Sequence, residues 1–175
     1  MVRSVLLYGL ALLQATAIQA LIVPDNLPDG LYTIPFNSAG EALSEPALVH
    51  SLESRVDRHR RQSNPPTLPA SKTKCGTRGN ININDFQLAK AAIQTACDKG
   101  EQYAASTAVV YTVGSSVAYF CNYQSANRCW RQEYEEAMAR IVQSCGSGKG
   151  GEIYISAYSK SYGGDNAGSE ICLGG

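Results

Sequence analysis

All six cysteines of this 175-residue chain lie at or after position 75. They are Cys75, Cys97, Cys121, Cys129, Cys145 and Cys172. An even number of cysteines in an exported chain predicts disulfides, here three, because the secretory route is oxidising. A zinc site is the competing interpretation. The chain has no C-x-x-C pair, so neither a metal nor another cofactor is expected.

The first 20 residues are typical of a secretory signal peptide. Arg3 is followed by an apolar run over 5–13 and by small residues that include Ala17 and Ala20, the two candidate cleavage positions. A membrane-spanning helix needs about 20 apolar residues, so this run is too short to be an anchor. We expect a secreted, extracellular protein with no membrane span.

Residues 21–61 have the composition of a propeptide. They contain no cysteine and end in the cluster Arg58-His59-Arg60-Arg61. Paired basic residues in an exposed stretch are the signal that a kexin-type protease cleaves, which predicts processing after Arg60 and Arg61. The alternative is a charged linker that stays attached. Residues 62–74 are rich in Pro, Ser and Thr and predict a flexible tail, which leaves 75–175 as the disulfide-rich domain.

The part after the basic cluster is nearly neutral and has no histidine. From Gln62 onward it has 114 residues, with ten basic and nine acidic side chains, so one domain is expected and nucleic-acid binding is not. Both histidines, His50 and His59, lie upstream. Catalysis by Ser-His-Asp or Cys-His groups is therefore not expected of a chain that begins at Gln62.

Two regular patterns dominate residues 107–146. Residues 107–113 and 116–123 are rich in β-branched and aromatic side chains, and Gly114-Ser115 between them predicts a hairpin with a type II′ turn. A helix is predicted to follow, ending at Cys145 with Gly146 as its C-cap. On its solvent face, Arg131 with Glu135 and Glu136 with Arg140 predict weak i,i+4 ion pairs.

Further elements are predicted on both sides of this region. Asn84 is placed to cap an earlier helix that ends near Lys99-Gly100, after a turn-rich stretch that begins at Cys75. Residues 152–158 alternate as a half-buried strand, and a short strand ends at Cys172. Residues 146–151 and 161–169 are predicted to be glycine-rich loops. The fold class is α+β, a two-layer sandwich with an antiparallel sheet of three to four strands and two helices on one face.

The helix positions favour one disulfide pattern among the fifteen that six cysteines allow. If the helices are antiparallel, the end of the first lies near the start of the second. That pairs Cys97 with Cys129 and Cys75 with Cys145, and leaves Cys121 for Cys172.

The motifs VAYFCNY at 117–123, Cys-Gly at 145–146 and GEIYISAY at 151–158 resemble small secreted cysteine-rich proteins of filamentous fungi. The order of helices and strands is more distantly similar to the killer toxins of the corn-smut type. The resemblance implies a non-enzymatic virulence effector or toxin that acts on a host plant or a competing microbe. The chain has fewer cysteines than the corn-smut toxin, and no activity residue is carried over.

Aromatic side chains supply the candidate binding residues. Tyr154, Tyr158 and Tyr162 are expected on the outer face of the last strands and their loop, where exposed rings stack on sugars or anchor protein partners. Their alternative role is packing under a second layer or under the tail.

The second set of binding candidates surrounds the only tryptophan. Trp130 stands between Arg128 and Arg131, and Trp and Arg are typical interface anchors. Its alternative role is to cap the buried entrance of its helix.

Paired carboxylates, as in glycoside hydrolysis, remain possible without a histidine. Asp165 and Glu170 are the candidates, but their Gly-Gly-Asp-Asn context is typical of a turn. We therefore expect a monomeric secreted protein that binds a host or competitor protein or glycan and is not an enzyme. The alternatives are a cell-wall glycan-binding module and an inhibitor of a host protease.

Overall fold

The computed structural model of the protein describes residues 20–51, 68–98 and 102–174. Its elements in chain order are β1 (Leu21–Ile22), β2 (Gly30–Pro35), β3 (Ala47–Ser51), β4 (Ser71–Asn80), α1 (Ile83–Asp98), β5 (Gln102–Tyr103), β6 (Thr107–Val113), β7 (Ser116–Asn122), β8 (Asn127–Arg128), α2 (Arg131–Cys145), β9 (Lys149–Ile155), a 3₁₀ turn (Ser156–Tyr158), β10 (Lys160–Asn166) and β11 (Glu170–Ile171).

Seven strands form one antiparallel sheet in the order β3-β2-β6-β7-β10-β9-β4. Two short pairs, β1 with β11 and β5 with β8, lie outside it. The predicted α+β class is confirmed, but the predicted sheet of three to four strands is too small. Strands β2 and β3 come from the segment predicted as a propeptide. Strand β4 begins within the predicted tail and runs through the stretch after Cys75 that was predicted to be turn-rich.

The hairpin of β6 and β7 is confirmed. Its register pairs Val113 with Ser116 next to the turn, and Gly114 has φ +52°, a conformation that favours glycine. Two carboxylates hold the turn. Asp29 accepts a hydrogen bond from the backbone N–H of Gly114, and Asp85 accepts one from that of Ser115.

Strand β10 replaces the predicted glycine-rich loop at 161–169. It lies between β7 and β9, and its glycines face aromatic rings. A Cβ on Gly163 would lie 2.2 Å from Cζ of Tyr119, and one on Gly164 would lie 2.2 Å from Cε2 of Phe86. The glycines therefore mark a close approach between rings and strand, since any larger residue would collide there.

The two helices begin and end at identifiable residues. Helix α1 is capped by Asn82 rather than by the predicted Asn84. The Oδ1 of Asn82 accepts a hydrogen bond from the backbone N–H of Asn84 at 3.1 Å. Helix α2 ends at Cys145, and Gly146 follows as its C-cap with its backbone N–H donating to the carbonyl of Val142; its φ of +98° and ψ of 159° lie outside the left-handed helical region predicted for it.

Both helices pack against the same face of the sheet. Their buried side chains share one hydrophobic cluster with alternate residues of the central strands, which in a strand point to one side. Representative members are Ala89 and Ile93 of α1, Tyr134, Ala137 and Ile141 of α2, and Val109, Phe120, Ile153 and Tyr162 of the sheet.

A second hydrophobic cluster covers the opposite face of the sheet. Strand residues such as Val110 and Val117 meet side chains from both ends of the described chain there. Ile34 of β2 lies on this face, and the residues that cover it are Leu21, Val23 and Phe36 from the upstream segment and Ile171 and Cys172 from the C-terminal segment. The upstream segment therefore forms part of the core.

The three disulfides match the predicted pairs. Cys75–Cys145 ties β4 to the end of α2, and Cys97–Cys129 ties the end of α1 to the residue that follows β8. Cys121–Cys172 ties β7 to the C-terminal segment. The Cα–Cα distances are 5.6, 4.6 and 5.6 Å, and none of the six cysteines is free.

Some predictions fall outside the described residues. These are the signal peptide up to residue 19, the cleavage site at Arg60 and Arg61, and the tail up to residue 67. The end of the predicted tail is described and packed, since Leu68 is 5% exposed. Among the described helices, none is long and apolar enough to cross a membrane.

Candidate functional site

Three of the six candidate side chains lie close together at one end of the sheet. Asn127 of β8 donates a hydrogen bond to the carbonyl of Tyr158 at 2.8 Å, which brings the 3₁₀ turn beside β8. The guanidinium of Arg128 lies 6.0 Å from the centre of the Trp130 ring. We call Arg128, Trp130 and Tyr158 the aromatic–arginine surface. Arg128 and Tyr158 are exposed and Trp130 is half-buried.

A buried lysine connects this surface to the core. The ammonium of Lys160 donates to the carbonyl of Arg128 and lies 5.0 Å from the centre of the Tyr158 ring. Lys160 also forms an ion pair with Glu133 of α2, and the two side chains are only 3% and 4% exposed. Burial lowers the pKa of Lys160, and the hydrogen bond that its ammonium donates to Glu133 opposes that change.

Tyr162 lies beneath this surface. Its hydroxyl donates to Glu133 at 2.6 Å and accepts from the backbone N–H of Trp130 at 3.1 Å. Its side chain is fully buried, and burial raises the pKa of Tyr162 well above its usual value. We therefore leave Tyr162 out of the candidate surface, because its ring positions the start of α2 and does not face solvent.

Arg131 is next to the surface but is already paired. Its guanidinium contacts Asp98 at 3.0 Å and Glu135 at 2.9 Å, the second being the predicted i,i+4 pair. The hydrogen bond to Glu135 contributes most to raising the pKa of Arg131. Since two carboxylates surround its charge, Arg131 is less available to a partner than Arg128.

Tyr154 lies on the other face of the sheet. In β9 it alternates with Ile153 and Ile155, which belong to the helix-side cluster, so its ring points away from the helices. The ring is half-buried and packs edge-on against Tyr123, with 5.5 Å between centres. Tyr154 and Tyr158 thus do not form one aromatic row.

The residues that sequence reasoning missed are Glu133, Lys160 and Glu152. Glu133 lies four residues before the buried Ala137, so its helical spacing did place it on the apolar stripe. Lys160 alternates with Tyr162 and therefore shares its face. Both signals were present in the sequence, but a charged residue on a buried face is unusual enough to be assigned to solvent.

A second polar cluster surrounds Glu152, which is 1% exposed. Its Oε1 accepts from the hydroxyl of Tyr123 at 3.1 Å, and its Oε2 accepts from the backbone N–H of Leu173 at 3.1 Å. The hydroxyl of Tyr119 is 3.4 Å from the same Oε2. Burial raises the pKa of Glu152, and these hydrogen bonds oppose that change only in part.

Asp165, one of the two catalytic candidates, is also buried. Its Oδ1 accepts from the backbone N–H of Asn166 at 2.7 Å and from the hydroxyl of Ser169 at 3.0 Å, whereas the other candidate, Glu170, is exposed. Burial raises the pKa of Asp165. Raised carboxyl pKa values are typical of general acids. The cavity beside Asp165 and Glu152 has a volume of only about 30 Å³, which is room for a water molecule and not for a sugar ring.

An apolar groove of about 450 Å³ runs between α1 and α2. Ile83 and Val142 on its rim are 47% and 50% exposed. It lacks the combination of aromatic and guanidinium groups found at the aromatic–arginine surface, and we rank it second as a binding site.

Neither metal ligation nor similarity to known proteins adds a further site. Within 20–51, 68–98 and 102–174, no group of three His, Cys, Asp or Glu side chains is placed to hold a metal ion. Comparisons of the chain with protein-family models, with curated proteins and with solved structures found no match.

Proposed function

We propose that the protein is a secreted effector-like or toxin-like protein of fungal type, which binds a host or competitor target outside the producing cell and is not an enzyme. Three disulfides in a small domain are compatible with an extracellular location. The signal-peptide pattern of the first 20 residues supports secretion. Cleavage after Ala20 would leave Leu21, the first buried residue in the described part of the chain, at the new N-terminus.

The observation that carries this proposal is the aromatic–arginine surface. Trp, Tyr and Arg are the residue types that contribute most to protein–protein binding when they are held rigidly. Here Arg128 and Tyr158 are exposed, while their supports, Lys160, Glu133 and Tyr162, are buried and bonded to one another. A pre-positioned surface loses little side-chain entropy when it binds.

The test compares the activity of purified variants in leaf infiltration and in growth assays of competing fungi. Trp130→Ala and Tyr158→Ala should each weaken activity about 30-fold if each residue contributes about 2 kcal/mol to binding. Leu48→Ala is the matched control, because Leu48 is an apolar residue of β3 that is 57% exposed. Equal activity of all three variants would contradict the proposal for this surface.

A cell-wall glycan is the second candidate target, because exposed tyrosine and tryptophan rings stack on sugars. Sedimentation with insoluble chitin or β-glucan separates the two functions. Co-sedimentation that Trp130→Ala and Tyr158→Ala abolish would favour the glycan-binding module. Retention of all variants in the supernatant would favour a protein target.

A further inference from the structure

Residues 21–51 are an integral part of the sheet although they carry the composition of a propeptide. Strand β2 pairs with β6 along its whole length, from Gly30 opposite Thr112 to Pro35 opposite Thr107. On its other side β2 pairs with β3. Without this segment, β6 would be an unpaired edge of the sheet.

Side chains of the same segment fill the second core. Leu21, Val23, Ile34 and Phe36 are between 0% and 3% exposed. Ile34 is part of one face of the sheet, and the other three residues cover that face together with Ile171. Removing the segment would expose this apolar face to water.

Polar contacts fix the segment to the hairpin. The carboxylate of Asp29 accepts from the backbone N–H of Gly114 at 2.8 Å. The hydroxyl of Thr112 donates to the carbonyl of Pro28 at 2.7 Å. The interface thus combines strand pairing, apolar burial and hydrogen bonds.

No disulfide links this segment to the rest of the chain, because all six cysteines lie at or after Cys75. Its only covalent connection is the backbone of 52–67, which contains Arg60 and Arg61. Ser51 ends β3 at one edge of the sheet, and Leu68 donates a backbone hydrogen bond to Glu136 of α2. A cut between Ser51 and Leu68 breaks none of the described strand pairings.

We propose that cleavage after Arg61 produces two chains that stay together, with residues 21–61 retained as a non-covalent, strand-donating subunit. The step is hydrolysis by a kexin-type serine protease. Water adds across the Arg61–Gln62 peptide bond and leaves a carboxylate on Arg61 and an amine on Gln62. The basic cluster then marks a maturation site, and the segment before it is a subunit of the mature protein.

The test uses the full secreted chain, incubated with a purified kexin-type protease. We expect two bands on a non-reducing denaturing gel and, by native mass spectrometry and size exclusion, a single species whose mass is the sum of the two chains. Elution of 62–175 by itself would overturn the proposal, because it would mean that the segment is released. A chain that the protease leaves intact would also overturn it.

Three further variants make the result specific. Arg60→Ala with Arg61→Ala should remain one chain under the same treatment. Ile34→Asp places a charge in the second core and should cause loss of the small chain after cleavage, whereas Leu48→Asp, on the exposed side of β3, should retain it. If Ile34→Asp does not fold, the wild-type result alone decides, since retention or release is read on the unmodified protein.

Discussion

At the scale of single residues, Gly163 allows the Tyr119 ring to lie directly against the backbone of β10. The ring fills the space that a side chain at 163 would occupy, and the hydroxyl of Tyr119 reaches the carbonyl of Gly151 on β9 at 3.3 Å. The same tyrosine packs in the second core. A glycine is therefore required in the middle of a buried strand, where glycine usually weakens pairing.

Gly163→Ala should destabilise the protein by about 1–3 kcal/mol, because the new methyl group overlaps a ring that buried neighbours hold in place. The measurement is the midpoint of urea unfolding. Gly79→Ala is the matched control, since a Cβ there meets no atom within 4 Å. Equal midpoint shifts for the two variants would show that the Tyr119 contact does not constrain position 163.

At the scale of elements, the periodicity of apolar residues correctly predicted the helices and strands whose formation depends on residues close in sequence. Alternation and helical spacing predicted the β6–β7 hairpin and α2, and the assumption of antiparallel helices led to the three disulfide pairs that the structure contains. Strand β10 was missed because Gly163 and Gly164 have the composition of a loop. Their role depends on Tyr119 and Phe86, which are distant in sequence.

The upstream strands were missed for a different reason. Prolines and the lack of cysteine in 21–61 are typical of a removable segment, and only the pairing of β2 with β6 shows its place in the sheet.

The candidate surface was predicted in part. Residue type identified Arg128, Trp130 and Tyr158. Tyr162 was placed on the surface because residues 161–169 were predicted to be a loop, whereas its side chain is buried in β10.

The Cys97–Cys129 disulfide is the element-scale support of the aromatic–arginine surface. It joins the end of α1 to the residue just before Trp130. Replacing both cysteines with serine should cost about 2–4 kcal/mol of stability, a typical value for one bridge. It should also increase the motion of Trp130, which is the only tryptophan of the chain, so that fluorescence anisotropy reports on this position.

The matched control for that variant is Cys121→Ser with Cys172→Ser. This bridge joins β7 to the C-terminal segment, on the opposite side of the sheet from the helices. We expect a similar loss of stability with unchanged anisotropy. Equal anisotropy in both double variants would mean that the disulfide does not hold the surface.

At the scale of the whole molecule, two buried carboxyl groups make stability depend on pH. The folded state raises the pKa of Glu152 and Asp165 by burial. In the unfolded chain these groups titrate near about 4.3 and 3.9. Their stabilising contribution is therefore fully present below those values and is lost as pH rises through the folded-state pKa values.

Glu152→Gln and Asp165→Asn should each flatten the fall in unfolding free energy between acidic and neutral pH, and the double variant should flatten it further. Urea unfolding over a pH series measures the slope of the unfolding free energy against pH. A lost hydrogen bond lowers this free energy equally at every pH, so the slope reports only the titration of the carboxyl groups. Lys160 has the opposite effect at alkaline pH, because burial lowers its pKa in the folded state. Its contribution to the unfolding free energy is present above the unfolded-state pKa and is lost as pH falls through the folded-state pKa. If the carboxyl variants keep the wild-type slope of unfolding free energy against pH, Glu152 and Asp165 are not the source of the pH dependence.

The pairing of β1 with β11 also determines when the fold can be completed during synthesis. Ile171 pairs with Leu21 across 150 positions of sequence. Because a chain is synthesised from its N-terminus, Leu21 and Val23 are made long before the last strand is translated. At about 5–20 residues per second, this interval lasts roughly 8–30 seconds. During that time β1 cannot pair with β11, and this part of the fold is completed only after the last strand has been translated.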